Sequence, residues 1–220
     1  MPDATSEAVA RRTETRFYFV RHGETEYNRQ RIVQGRGIDS VLNPTGQEQA
    51  QALADRLASV SFDAIYASSL RRAQQTAKIL ARPHADTSMA YLADLDEMAW
   101  GVYEGTHPSP DRDAKLDAIK KRWRQGAFHE AIEGGESILD VQHRALRAVD
   151  HILEREEGRT VLVVTHGRFL RIVLASLLDE YGLTRMHELP HSNTAVNRLV
   201  HRKDTFEAEL LNCTAHLDDA

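Results

Sequence analysis

Along this chain, short apolar runs alternate with longer stretches in which apolar positions recur every three or four residues. Phe17-Tyr18-Phe19-Val20 and Val161-Leu162-Val163-Val164 are uninterrupted, too short for a helix and rich in aromatic and β-branched residues. Such runs predict strands buried on both faces. Residues 62–67 predict another strand, 89–92 a weak one, and 194–200 and 206–212 two final strands. The last alternates Phe206, Ala208 and Leu210 with acidic residues, as an edge strand would. Between them lie helical patterns. One opens at Asn43-Pro44-Thr45, with Thr45 and Glu48 matching a capping box and Ala50, Leu53, Ala54 and Leu57 forming the stripe. A second runs to about Leu80 behind Ser68 and Ser69, which can cap it. A third covers 111–125, with Leu116, Ile119 and Trp123 on one side. Ser137 and Asp140 cap a long helix that Gly158 ends, and a last helix follows the Val161 strand. This alternation predicts an α/β fold, a three-layer α/β/α sandwich with a mostly parallel sheet. Residues 1–15 are expected to be a disordered arm before a single domain over 16–220, with a lid-like segment at about 106–133.

Both uninterrupted runs end in His-Gly: Arg21-His22-Gly23 and Thr165-His166-Gly167. The carboxyl edge of an open α/β sheet is where ligand crevices form. One strand-end histidine is commonly structural, but two, each followed by glycine, are hard to explain by packing. If the strands are parallel and adjacent, His22 and His166 face each other across one pocket. Arg71 and Arg72 fall in the first turn of a helix, where the macrodipole disfavours cations. A bound anion is a better reason for at least one of them. The same edge would collect Asn28, and also Glu97 from a partly buried loop at 94–105.

This set suits a phosphoryl group. Arginine forks match phosphate oxygens, a neutral imidazole is a competent nucleophile, and a carboxyl in apolar surroundings, here Glu97, can donate a proton. Metal ligation is not expected, because neither a His-x-x-x-His pattern nor a cysteine pair is present. No Gly-Lys-Ser/Thr phosphate loop occurs, and Gly35-x-Gly37 lacks the third glycine of a dinucleotide site, so no cofactor is expected.

Arg21-His22-Gly23-Glu24-Thr25 resembles the signature of the histidine phosphatase superfamily, on its phosphoglycerate mutase-like branch. The resemblance extends through Asn28, Gln34-Gly35, Ser68-x-Leu70-x-Arg72-Ala73-x-x-Thr76-Ala77, Leu95-x-Glu97, Tyr103-Glu104-Gly105, Gly134-Gly135-Glu136-Ser137 and Thr165-His166-Gly167. It implies the strand order and layering, a phosphohistidine on His22, and phosphoryl binding by Arg21, Arg72 and His166 with Asn28 contributing. Glu97 would be proton donor and then base. Arg71 would face solvent, and Glu24 and Glu104 would be structural. Gln34, Gly35 and Asn193, with His191, are candidates for the substrate-binding rim.

The implied function is a metal-independent phosphomonoesterase acting on small phosphorylated metabolites. A cofactor-dependent phosphoglycerate mutase is the alternative, and a non-catalytic phospholigand-binding domain a further one. The short stretch from Gly105 to Gly134, without an arginine-rich insertion, favours hydrolysis. Across 220 residues the net charge of −5 shows no basic surplus for nucleic acid, and no apolar run has membrane-spanning length. The single Cys213 cannot form an internal disulfide and is expected to be buried. A cytoplasmic enzyme is the expectation, with a homodimer left open.

Overall fold

The computed structural model describes residues 14–218. Six strands form one sheet in the order β3-β2-β4-β1-β5-β6, where β1 is Thr15–Arg21, β2 Ala64–Ser68, β3 Ser88–Leu92, β4 Thr160–Thr165, β5 Val196–Arg202 and β6 Thr205–Cys213. The first four in that order run parallel, while β5 and β6 are antiparallel. The central strands are apolar throughout because both their faces are covered. Phe17 and Phe19 of β1, with Val161 and Val163 of β4, pack under α4 (Pro110–Arg124), α5 (Ile138–Glu156) and α6 (Gly167–Leu177). Tyr18, Val20, Leu162 and Val164 point the other way, against α2 (Pro44–Leu57) and α3 (Arg71–Leu80). Period-two alternation inside an all-apolar run therefore makes the three layers.

Several local expectations change. Asn43, not Thr45, caps α2: its side chain accepts from Gly46 N, and Pro44 takes the first helical position, where its missing N–H costs nothing. The serines do not cap α3, whose N-cap is Leu70 with no side-chain bond. Both hydroxyls instead reach Asp96. Ser137 and Asp140 do form a capping box on α5. Of the expected arm at 1–15, residues 1–13 lie outside the described residues. Thr15 is in fact the buried first residue of β1, and Glu14 pairs with Arg202 at 2.7 Å. Cys213, expected to be buried, is half-buried at the end of β6. Gly23 has no unusual backbone angle. It is needed for close approach, since a Cβ there would stand 2.3 Å from the Gly46 carbonyl oxygen. Among the described residues, no helix is long and apolar enough to cross a membrane.

Candidate active site

The β1–β4 ladder places Arg21 opposite Thr165, and its last bond runs from His22 N to the Thr165 carbonyl at 2.9 Å. His22 and His166 therefore leave the sheet side by side, with ring centroids 5.1 Å apart and both side chains buried. His22 donates Nδ1–H to the Gly23 carbonyl at 2.7 Å. That bond fixes the tautomer and leaves Nε2 as an unprotonated lone pair. Burial, then the charges of Arg72 and Arg21, push the His22 pKa well below its ordinary value despite the Gly23 bond, so the ring is neutral at neutral pH.

His166 accepts from Arg72 Nε at Nδ1 (3.2 Å), so its proton sits on Nε2 and is donated to Ser68 Oγ at 2.7 Å. Ser68 in turn donates to Asp96 at 2.8 Å. Both ring nitrogens are thus engaged, and His166 stands behind Arg72 rather than on the cavity wall. Arg72 is fully buried, its Nη1 donating to the Ile38 carbonyl at 2.7 Å and its Nη2 to that of Gly35 at 2.9 Å. Arg71 is exposed, as expected. Arg21 donates from Nη1 to the His191 carbonyl at 2.6 Å, while its buried Nε has no partner. Burial, together with neighbouring arginines and against the pull of Glu97, lowers its pKa to about 10, which keeps it charged.

These groups meet in a cavity of about 290 Å³. Arg21, His22, Asn28, Gln34, Gly35 and Arg72 line it, with Glu97. Asn28 sits in α1 (Glu26–Arg29), where its Oδ1 completes a capping box with Thr25, leaving Nδ2 as the donor. Gln34 is buried with Oε1 taken by Ser40. Glu97 differs from expectation. Its surroundings are polar: Oε1 accepts from Met98 N and Phe169 N, and Oε2 from Arg168 N, at 2.9–3.1 Å. The start of α6 thus holds the carboxylate in place. Asn193 donates to the His22 carbonyl at 2.9 Å, with the same amide nitrogen 3.5 Å from Oδ1 of the cavity-lining Asn28. Glu104 accepts from Trp100 N, and Glu24 from Asn43 Nδ2, both structural uses.

The remaining wall went unread in the sequence. Arg112, Leu116 and Lys120 of α4 line the cavity, as do Trp100 and Arg168. The spacing of four along α4 put those three on one face, which was the available signal. Arg168 repeats the anomaly of Arg72, a cation in a helix's first turn directly after a strand. Among the described residues, no three His, Cys, Asp or Glu side chains cluster as a metal site would require.

Comparison with known proteins agrees with this geometry. The metal-independent phosphoserine phosphatase of Arabidopsis thaliana is 31% identical over 191 residues, covering 86% of this chain and 77% of the relative. The "Probable phosphoglycerate mutase GpmB" of Yersinia enterocolitica is 34% identical over 210 residues, covering 91% and 94%. The solved structure of Bacillus stearothermophilus YhfR superposes with a TM-score of 0.81 at 33% identity, covering 92% of this chain and 99% of that one. The model of the histidine phosphatase superfamily, branch 1, matches residues 17–214. With two sheet-end histidines beside Arg21 and the buried Arg72, and that match over nearly the whole fold, this chain belongs to the histidine phosphatase superfamily, branch 1.

Proposed function

We propose that the protein hydrolyses phosphate monoesters of small metabolites through a phosphohistidine on His22. The observation that carries this is the Nδ1–H bond of His22 to Gly23, which leaves Nε2 as a neutral nucleophile in the same cavity as Glu97 and Arg21. In the first step the Nε2 lone pair forms a bond to phosphorus and the ester P–O bond breaks. The leaving oxygen takes the electron pair and a proton from Glu97. In the second step Glu97 takes a proton from water, whose oxygen attacks phosphorus. The P–N bond breaks, releasing phosphate and restoring the imidazole. The Nε–H of Arg21, the Asn28 amide and Arg72 hold the phosphoryl oxygens, and their charge does the neutralising that phosphoryl transfer demands. His166 keeps Arg72 oriented through its Nδ1.

Residues 106–133 cover the cavity in this reading. They amount to α4 and a turn, which supports hydrolysis over transfer back to a bound acceptor. A cytoplasmic setting belongs to the same reading, supported by the single unpaired cysteine. The test is phosphate release from phenyl phosphate, with capture of acid-labile, base-stable ³²P on the protein. Wild type is expected to turn over and carry label, and His22→Ala to do neither. Label retained in His22→Ala would overturn the assignment.

A further inference from the structure

A chain of polar contacts runs behind the cavity, and it begins at a residue that the proposed reaction leaves unused. Asp96 is buried, next to Glu97 in the chain. Its Oδ1 accepts from Ser68 Oγ at 2.8 Å and from Ser69 N at 2.9 Å. Its Oδ2 accepts from Ser69 Oγ at 2.9 Å and pairs with Arg36 Nε at 3.3 Å. Holding the turn at the end of β2 needs only the bonds to Ser69. The bond to Ser68 reaches further, because the Ser68 hydroxyl also lies 2.7 Å from His166 Nε2.

The donors and acceptors along this chain leave one arrangement of protons. A hydroxyl has one proton and two lone pairs. Leu70 N–H takes one lone pair of Ser68 Oγ at 3.1 Å, and the Ser68 proton goes to Asp96, a carboxylate that can only accept. The other lone pair needs a donor, so His166 carries its proton on Nε2. Burial, then the charge of Arg72, holds the His166 pKa well below its ordinary value, so the ring has no second proton. Its Nδ1 is a bare lone pair 3.2 Å from Arg72 Nε. Arg72 is thus anchored at three points: Nε on His166, Nη1 on the Ile38 carbonyl and Nη2 on that of Gly35. Three anchors fix the plane of the fork and leave two of its five N–H groups for the cavity it lines. The circuit closes on itself, since the residue after Gly35 is Arg36, whose Nε is on Asp96. Its polarity is set from one end. Without the Asp96 carboxylate, the Ser68 proton is free to turn toward His166 Nε2. The imidazole proton then belongs on Nδ1, where it meets Arg72 Nε–H donor against donor.

We infer that Asp96 is a positioning residue for Arg72, acting through Ser68 and His166: by taking the Ser68 proton it fixes the Nε2–H tautomer of His166, which keeps Nδ1 as the acceptor that holds the Arg72 fork in the plane the phosphoryl group requires. This rests on the phosphatase reading for its effect on turnover, and on geometry alone for its effect on the imidazole.

The experiment reads the His166 ring by ¹⁵N NMR, in which protonated and bare ring nitrogens resonate far apart, with the His166 signals identified by their loss in His166→Gln. Wild type is expected to show Nε2 protonated and Nδ1 bare at neutral pH, and Asp96→Ala to move the proton wholly or partly to Nδ1. Phenyl phosphate turnover by Asp96→Ala is expected to fall roughly ten- to a hundredfold, the contribution of one charge-assisted hydrogen bond. Asp96→Asn keeps an acceptor oxygen toward Ser68 and is expected to recover the wild-type tautomer and most of the lost turnover. Ser68→Ala breaks the chain while sparing the bonds between Asp96 and Ser69. It is expected to lose as much turnover as Asp96→Ala, and the double variant no more than either, because the two residues act as one unit. Should Asp96→Ala misfold, the wild-type tautomer and the turnover of Ser68→Ala still decide. A wild-type ring protonated on Nδ1 overturns the proposal, as does Asp96→Ala with an unchanged tautomer, or either variant with undiminished turnover. If wild type hydrolyses nothing, the phosphatase reading fails, while the tautomers of wild type and Asp96→Ala still test the link from Asp96 to the ring.

Discussion

Replacing Arg144 with methionine isolates the device that holds the Glu97 loop. Arg144 rises from α5 with its guanidinium almost completely buried. It donates to both Glu136 oxygens, at 2.8 and 3.0 Å, and to the carbonyls of Asp94, Asp96 and Glu97 at 2.6–3.1 Å. Glu136 also accepts from Ala99 N, just beyond Glu97. Methionine fills the volume but leaves a carboxylate and three carbonyls facing a thioether. Removing one partner of a buried pair costs about 3–5 kcal/mol. At a urea slope of about 2–3 kcal/mol/M this lowers the unfolding midpoint by roughly 1–2 M. The pH dependence has a definite sign. Burial pushes the Glu136 pKa up, but the Arg144 bond and charge outweigh it, with help from Ala99 and Arg36, so the folded carboxyl lies below the ordinary range. Its stabilisation is present above the unfolded pKa and is lost as pH falls through the folded one. The gap between wild type and Arg144→Met therefore narrows on acidification. Adding Glu136→Gln to Arg144→Met removes the orphaned charge and recovers part of the loss. Urea titrations at pH 7.5 and 4 measure all of this. A loss under about 1 kcal/mol, or a gap that does not change with pH, would refute the account.

Burial holds the His22 pKa well below its ordinary value, so its ring resonances in ¹⁵N-labelled protein are expected to show no titration near 6.5, and one there would contradict the burial argument. Because unfolding lets His22 and His166 take up protons at their ordinary pKa, stability falls as pH drops below about 6.5, and replacing His166 with glutamine should flatten that slope in thermal melts at pH 5–7. Glu97→Gln should slow alkyl esters by about 10²–10⁴ and 2,4-dinitrophenyl phosphate far less, since that leaving group needs no proton; equal losses would remove Glu97 from the acid role. Gly35→Ala should cost about 2–4 kcal/mol, because Gly35 has φ of 63° and an added Cβ would stand 2.1 Å from Glu104 Oε1, displacing the acceptor of Trp100 N. Melting at an unchanged temperature would show the contact to be soft.

The two histidine-bearing strands were legible because β1 and β4 are apolar on both faces and break abruptly at His-Gly, whereas their adjacency in the sheet came from the family resemblance. Helix α4 was legible from Leu116, Ile119 and Trp123, all of them buried. What escaped was set by partners remote in sequence. Ser68 and Ser69 have the chemistry of helix caps, yet Asp96 claims their hydroxyls. Glu97 sits among acidic and apolar neighbours in the sequence, but its surroundings are backbone amides contributed by Met98 and by the start of α6. The bond of the Asn193 amide to the His22 carbonyl, 171 residues away, had no signal in the sequence. Asn43 was misread for a local reason: the proline after it marks the first helical residue, and the capping side chain is the one before.

The bond from His22 N to the Thr165 carbonyl has a consequence for how this scaffold diversifies. The separation of the two imidazoles is a lattice constant of the sheet, not a property of any loop. Segments after β3 or around α4 can be lengthened, shortened or exchanged, changing which molecules are admitted, without altering the spacing of the two rings. Only a slip of β1 against β4 would do that, and such a slip would turn every apolar side chain of the strand toward the wrong layer.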